Sequence, residues 1–381
     1  MGAPRFSARR WAAACALAAW AVAVLGGCAS GSERPKPADL PPNPGAIGVR
    51  QVWSAHLSPV DFPLQAQVRG GSVVLATGSG AVVTLEAATG RQIARADVGA
   101  PLAAGVGSDG TVSAVVTQGN EVVAVEQDRI LWRRRLTAQS FTPPLVAGGR
   151  VFVLGTDRSL TALDGRSGRL LWTTPSQADA LVLRQDGLLT AVGNTLVAGL
   201  SGRLTGVDPD TGGTRWEAPV AAARGTNDVE RLIDLVGGVA RQGSVVCARA
   251  FQSAVGCVDA ANGNLLWSKP ADGATGLAGD GALVFGVEAD GKVIAWNAAG
   301  GERLWLNESL RWRDLTGPLV LGRSVVVGEG TGQLLLLARA DGKLLERIGT
   351  DSSGLAAAPV AAANTLVAVT RSGGVYGFQP E

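Results

Sequence analysis

Hydrophobic positions in this chain fall in short runs, broken every few residues by Gly, Asp or Ser. A representative stretch reads Pro144-Leu145-Val146-Ala147, Arg150-Val151-Phe152-Val153-Leu154, Leu160-Thr161-Ala162-Leu163 and Arg169-Leu170-Leu171-Trp172. Runs of this length, separated by turn formers, predict four short β-strands joined by hairpins. They are apolar and rich in small residues at most positions instead of cleanly alternating, so each small sheet must be covered on both faces.

The runs sit inside a longer period. An aliphatic strand ends in a carboxylate, a Gly-containing turn follows, and a Trp comes eight residues after the carboxylate: Leu163-Asp164-Gly165-Arg166-Ser167-Gly168-Arg169-Leu170-Leu171-Trp172, Val207-Asp208 to Trp216, and Val258-Asp259 to Trp267. Trp296-Asn297 to Trp305 keeps the step, and Glu126 to Trp132 shortens it by two. Fainter copies have Ala94 after Glu86 and Glu346 after Ala338, and the last copy runs out at Gln379 before reaching a Trp. Trp53 stands near the start with no unit before it, so the first strand is expected to complete the last unit. The marks at 86, 126, 164, 208, 259, 297, 338 and 379 are separated by 40, 38, 44, 51, 38, 41 and 41 residues. Eight units of this length predict an all-β, eight-bladed β-propeller of four-stranded antiparallel blades over 48–381, closed by the N-terminal strand. Circular closure buries both faces of every blade, which suits the 53 glycines and 46% hydrophobic residues. Trp53, Trp132, Trp172, Trp216, Trp267 and Trp305 then form a structural ladder, and the recurring carboxylates accept turn N–H groups.

The start of the chain has a different character. Arg5, Arg9 and Arg10 precede an apolar stretch from Trp11 to Leu25, and Leu25-Gly26-Gly27-Cys28 follows. The stretch is short for a membrane span and reads as a signal peptide over 1–27. Its end resembles the lipobox of bacterial lipoproteins. That resemblance implies cleavage before Cys28, acylation of Cys28 and, with Ala29 rather than Asp next, delivery to the outer membrane. Residues 28–47, with prolines at 35, 37, 41, 42 and 44, are expected to be an extended, solvated tether holding the body on the periplasmic side.

Charge and chemistry narrow the function. The whole chain carries +2, but three arginines precede Cys28 where no acidic residue stands, which leaves −1 for the remainder. That balance offers no nucleic-acid surface. Cys247 and Cys257 lie on consecutive strands joined near Phe251-Gln252-Ser253; a disulfide and two buried thiols are both open, because the turn register decides. The one histidine, His56, stands beside the closing Trp, and no HExxH, CxxC or GxSxG motif occurs. No catalytic residue, metal or cofactor is expected: an active site needs different residues converging once, and repetition indicates architecture.

The aliphatic-Asp-x-x-x-Gly-x-x-x-Trp unit resembles the repeat of the pyrroloquinoline-quinone (PQQ) dehydrogenases, which are eight-bladed propellers. Those enzymes are longer than the 354 residues following position 27 and carry an adjacent-cysteine disulfide that is missing here. With the lipobox and the Pro-rich segment, the eight repeats resemble the BamB family of outer-membrane protein assembly factors over essentially the whole chain. In that family a Leu-x-Leu-Arg segment and an Arg-Leu-x-Asp segment contact BamA, the central barrel-assembly subunit. Here they correspond to Leu181-Val182-Leu183-Arg184 and Arg231-Leu232-Ile233-Asp234. The resemblance thus implies that Leu181, Leu183, Arg184 and Asp234 form the contact, and that BamA periplasmic domains, the rest of the Bam complex and unfolded barrel clients are partners. Where the family often has a second Asp, this chain has Val236.

A physical argument points to the same places. The steps of 44 and 51 arise from inserts at about 177–187 and 222–237, each between the Trp strand of one blade and the first strand of the next. They should emerge on one rim at neighbouring junctions, with Leu181 and Leu183 directed alike and Arg184 at the edge of an apolar patch. The expected function is a non-enzymatic scaffold in β-barrel assembly at the outer membrane. A small quinoprotein or ligand-binding propeller and another periplasmic adaptor are the alternatives. A third insert, Leu310-Arg311-Trp312-Arg313-Asp314, places an indole between arginines outside the repeat.

Overall fold

The structure, a computed structural model, describes residue 2 and residues 35–176, 183–222 and 233–381. Residues 38–381 form one compact unit. Eight four-stranded antiparallel sheets are arranged as an eight-bladed propeller. Blade 1 spans 67–97, blade 2 107–135, blade 3 145–173, blade 4 189–219, blade 5 235–270, blade 6 278–307 and blade 7 319–349. Blade 8 joins 360–380 to the N-terminal strand β1 (Val49–His56), which pairs antiparallel with β32 (Gly374–Pro380) as its outermost strand. The expected closure is therefore made between the two ends of the chain.

The apolar core lies between blades. Val151, Val153 and Leu163 of blade 3 pack with Val116, Val122 and Trp132 of blade 2, and comparable clusters fill the other junctions. Both faces of a blade are thus dry, which explains why its strands lack alternation.

The ladder works by reaching forward. Five of the six ladder indoles donate their N–H to a carbonyl in the outer turn of the next blade: Trp53 to Ala87 at 2.8 Å, Trp132 to Gly165 at 2.9 Å, Trp172 to Pro209 at 3.0 Å, Trp267 to Ala298 at 2.8 Å and Trp305 to Arg339 at 2.9 Å. The ring lies against a positive-φ glycine of the same turn; at Gly168 an added Cβ would stand 2.6 Å from the Trp132 ring. Only Gly combines that backbone with that closeness. On the neighbouring strand of its own blade each Trp faces a small residue: Ala124, Ala162, Gly206, Cys257, Ala295 or Gly377. Trp216 stacks on Gly263 in the same way, but its N–H has no acceptor among the described residues.

The units without Trp now have a reason. Ala94 of blade 1 precedes blade 2, whose outer turn, Glu126-Gln127-Asp128-Arg129, is the shortened one and has no glycine to receive a ring. Glu346 of blade 7 precedes blade 8, whose two outer strands are not joined by a turn at all. There Asn43 Nδ2 donates to Glu346 Oε1 at 2.5 Å, and Asn43 Oδ1 accepts the Arg347 N–H at 3.0 Å. This corrects the expectation of a solvated tether through residue 47. From Ala38 onward the segment lies on the body, with Leu40 and Ile47 packed against apolar clusters and the Ala46 N–H bonded to Leu345 O at 2.9 Å. Cys28 and nearly all of the signal stretch lie outside the described residues.

Asp164, Asp208 and Asp259 accept turn N–H groups, as does Asn297. Glu86 and Glu126 instead take Thr89 and Arg91, and Arg129 and Arg166, because their longer side chains overshoot the turn backbone. Cys247 and Cys257 face each other in register and are joined as a disulfide.

Candidate partner-docking rim

All connections from the outermost strand of one blade to the innermost strand of the next run along one rim. The two long inserts therefore share a face and lie at neighbouring junctions, between blades 3 and 4 and between blades 4 and 5. Their described parts touch. The Leu183 N–H donates to Asp234 Oδ2 at 3.4 Å, Gly187 bridges to Val236, and the Gly237 N–H donates to Asp186 O at 2.9 Å. Ile233 is buried in the cluster between blades 4 and 5 and anchors the second insert.

Of the residues expected to form a contact, three are brought together. Leu183 is half-buried, and Arg184 is exposed with its guanidinium 5.6 Å from the Phe141 ring centroid. The cation thus lies over a partly buried aromatic ring beside Leu183, a pairing suited to an interface anchor. Asp234 does different work from the rest. Its Oδ1 pairs with Arg158 at 3.3 Å while its Oδ2 receives Leu183, so it positions the first insert instead of presenting a free carboxylate. Leu181 lies outside the described residues. Val236 is buried in the innermost strand of blade 5, β18 (Leu235–Gln242), so the second insert ends at Asp234, earlier than expected.

Sequence reasoning missed Phe141, Arg158, Gln65 and Asp186. Arg158 sits in a hairpin turn of blade 3 with no motif to mark it, and its partner is 76 residues away. Asp186 lies where the rim meets a central channel of about 780 Å³ lined by the innermost strands. Its Oδ2 accepts from Gln65 Nε2 at 2.7 Å. Burial pushes its carboxyl above the ordinary carboxylate range, against the Gln65 bond, which favours the charged form. The native state thus holds this proton more tightly than the unfolded chain. Stability from this site falls as pH rises from about 4, the unfolded value, through the raised native value. Asp186→Asn keeps an acceptor for Gln65 and removes the buried charge. Its melting temperature should equal or exceed the native one at neutral pH, with a flatter pH dependence above pH ~4. A lower melting temperature at neutral pH would mean that the rim needs the charge.

A family model described as outer membrane protein assembly factor BamB matches residues 78–307. The outer membrane protein assembly factor BamB of Burkholderia pseudomallei (strain K96243) is 38% identical over 377 residues, covering 98% of this chain and 99% of its own. That of Bordetella pertussis is 32% identical over 372 residues and covers 96% of each chain. The crystal structure of BamB from Moraxella catarrhalis is similar with a TM-score of 0.78 at 25% identity, covering 87% of this chain and 99% of that one.

Proposed function

The chain belongs to the BamB family of outer membrane protein assembly factors, and from that premise we propose that it is a non-enzymatic lipoprotein scaffold docking on BamA. In this reading Cys28 carries the acyl anchor that holds the propeller on the periplasmic face of the outer membrane. The rim at Leu181, Leu183 and Arg184 then meets the periplasmic domains of BamA, and Asp234 keeps the first insert in place. The observation that carries the reading is the Leu183–Asp234 contact, which ties two inserts outside the repeat into one surface. Docking there would hold BamA in a productive arrangement for inserting barrel proteins.

The outer strands supply a second element. They expose Ile93, Ile130, Leu170, Leu265, Leu266 and Leu304 beside unpaired backbone, a surface to which an extended client segment adds by strand pairing with little sequence preference.

The test is an affinity capture from detergent-solubilised envelopes, comparing native protein with a Leu183→Ala, Arg184→Ala, Asp234→Ala variant. Native protein should retain BamA and the folded variant should lose at least ~10-fold of it, since truncating interface anchors costs 1–4 kcal/mol each. Equal retention would move the site elsewhere, and no retention by either would remove BamA as the partner. Crosslinking from the outer strands in the same envelopes should capture extended barrel clients; capture of BamA alone would remove the client role.

A further inference from the structure

The insert between blades 6 and 7 lies on the same rim, two junctions beyond the docking residues, and takes no part in their contacts. Its backbone is unusual. Trp312 has φ +60° and Asp314 has φ +53°, left-handed conformations that cost a bulky side chain about 1–3 kcal/mol and persist only where the surroundings enforce them. They do so here. The Trp312 N–H donates to Asp290 O at 2.8 Å, and Arg311 and Lys292 share the Asp290 carboxylate at 3.0 and 2.9 Å. Arg313 stands 3.4 Å from Glu329, and Arg371 pairs with Asp314 at 2.6 Å. The result of this framework is an indole that stays 40% exposed, with the Arg311 guanidinium 5.6 Å from its ring centroid. Among the described residues it is the one aromatic side chain in the set of exposed large hydrophobics.

A second observation concerns the path of the chain. The Ala38 N–H donates to Arg311 O at 2.9 Å, and Arg313 Nη1 donates to Ala38 O at 2.5 Å. The residues on either side of Trp312 thus hold Ala38, the first residue of the compact body. Cys28 is ten residues upstream, and ten residues span at most about 35 Å when fully extended.

We propose that Trp312 is an interfacial membrane contact: its indole enters the headgroup region of a phospholipid surface and fixes how the propeller sits at the end of its leash. The inference rests on the acyl anchor at Cys28. An indole, apolar in body with one N–H donor, suits the headgroup layer. A single indole binds a bilayer weakly, and the short leash supplies the effective concentration that makes it count. Asp290, Asp314 and Glu329 offset three of the four cations around it, so the contact is mainly apolar and largely survives high salt.

The test uses the full-length acylated chain in phosphatidylethanolamine–phosphatidylglycerol vesicles whose acyl chains carry bromine near the headgroup. Brominated lipid should lower native Trp emission at low and high salt alike and leave a Trp312→Leu variant at its unbrominated level. The ladder indoles give a common background in both. Native emission that stays the same on brominated and unbrominated vesicles, when native and variant both float with them, would overturn the contact and leave Trp312 to a protein partner. A chain that fails to float would instead remove the anchor at Cys28. The same quenching comparison on protein held by an N-terminal histidine tag to nickel-chelating lipid then decides the Trp312 contact alone.

Discussion

Trp132→Ala is expected to lower the unfolding free energy by about 3–5 kcal/mol, the range for deleting a large buried aromatic from a packed site. The side chain is 9% exposed, and its removal opens a cavity between blades 2 and 3. It also orphans the Gly165 carbonyl, which accepts the indole N–H. Trp132→Phe separates the two effects: the ring still covers Gly168, and the loss should fall to about 1–2 kcal/mol, that of one buried hydrogen bond and a modest volume change. Gly168→Ala attacks the same clasp from the other side, because the residue holds φ +67° and its Cβ would stand 2.6 Å from the ring. Urea unfolding of the three variants is the measurement. A loss below ~1 kcal/mol for Trp132→Ala would mean that blade packing holds the junction without the clasp.

Much of this fold was legible because each blade repeats a local signal. Strand runs, Gly turns and the carboxylate-to-Trp step are all contained within one hairpin, so Asp164 to Trp172 could be read without knowing its neighbours. The purpose of the Trp was not local: its acceptor stands 31 to 37 residues further along, in the next blade. Ala94 and Glu346 therefore looked like decayed copies, when each faces a blade with no turn able to receive a ring. Residues 38–47 were misread for a similar reason. Five prolines between 35 and 44 suggest an open linker, yet Asn43 and Ala46 find partners on blade 7, about 300 residues away. At the rim, interrupted periodicity located the inserts and their junctions. It did not disclose that Asp234 would turn inward to Arg158, since that pairing depends on a hairpin turn two blades earlier.

Glu288→Gln should be as damaging as loss of a clasp, by about 3–5 kcal/mol, because it leaves a guanidinium buried without its counter-charge. Arg249, on β19 (Val245–Ala250) of blade 5, is fully buried, and its Nη2 lies 3.0 Å from Glu288 Oε1 of blade 6. Burial lowers the Arg249 pKa and the Glu288 carboxylate opposes that shift. Two glycines make the space: a Cβ at Gly273 would stand 1.9 Å from Nη1, and one at Gly286 2.4 Å from Nη2. The Nε and Nη1 groups have no hydrogen-bond partner among the described residues, so desolvation is only partly offset. Arg249→Met combined with Glu288→Gln removes both charges and should recover most of the loss. A double-mutant cycle by urea unfolding tests this, and a double variant whose cost equals the sum of the singles would show that the charges are not coupled. The pair also bears on the proposed docking. Arg249 is in register with Val236, and the Phe251 N–H holds Asp234 O at 2.9 Å, so the strand that this ion pair secures is the one that delivers Asp234 to Leu183. If BamA docks as proposed, Glu288→Gln should therefore weaken its capture although the residue lies outside the proposed docking patch, whereas the double variant should regain capture along with stability. Recovery of stability without recovery of capture would indicate that the charge itself, and not the strand it steadies, serves the partner.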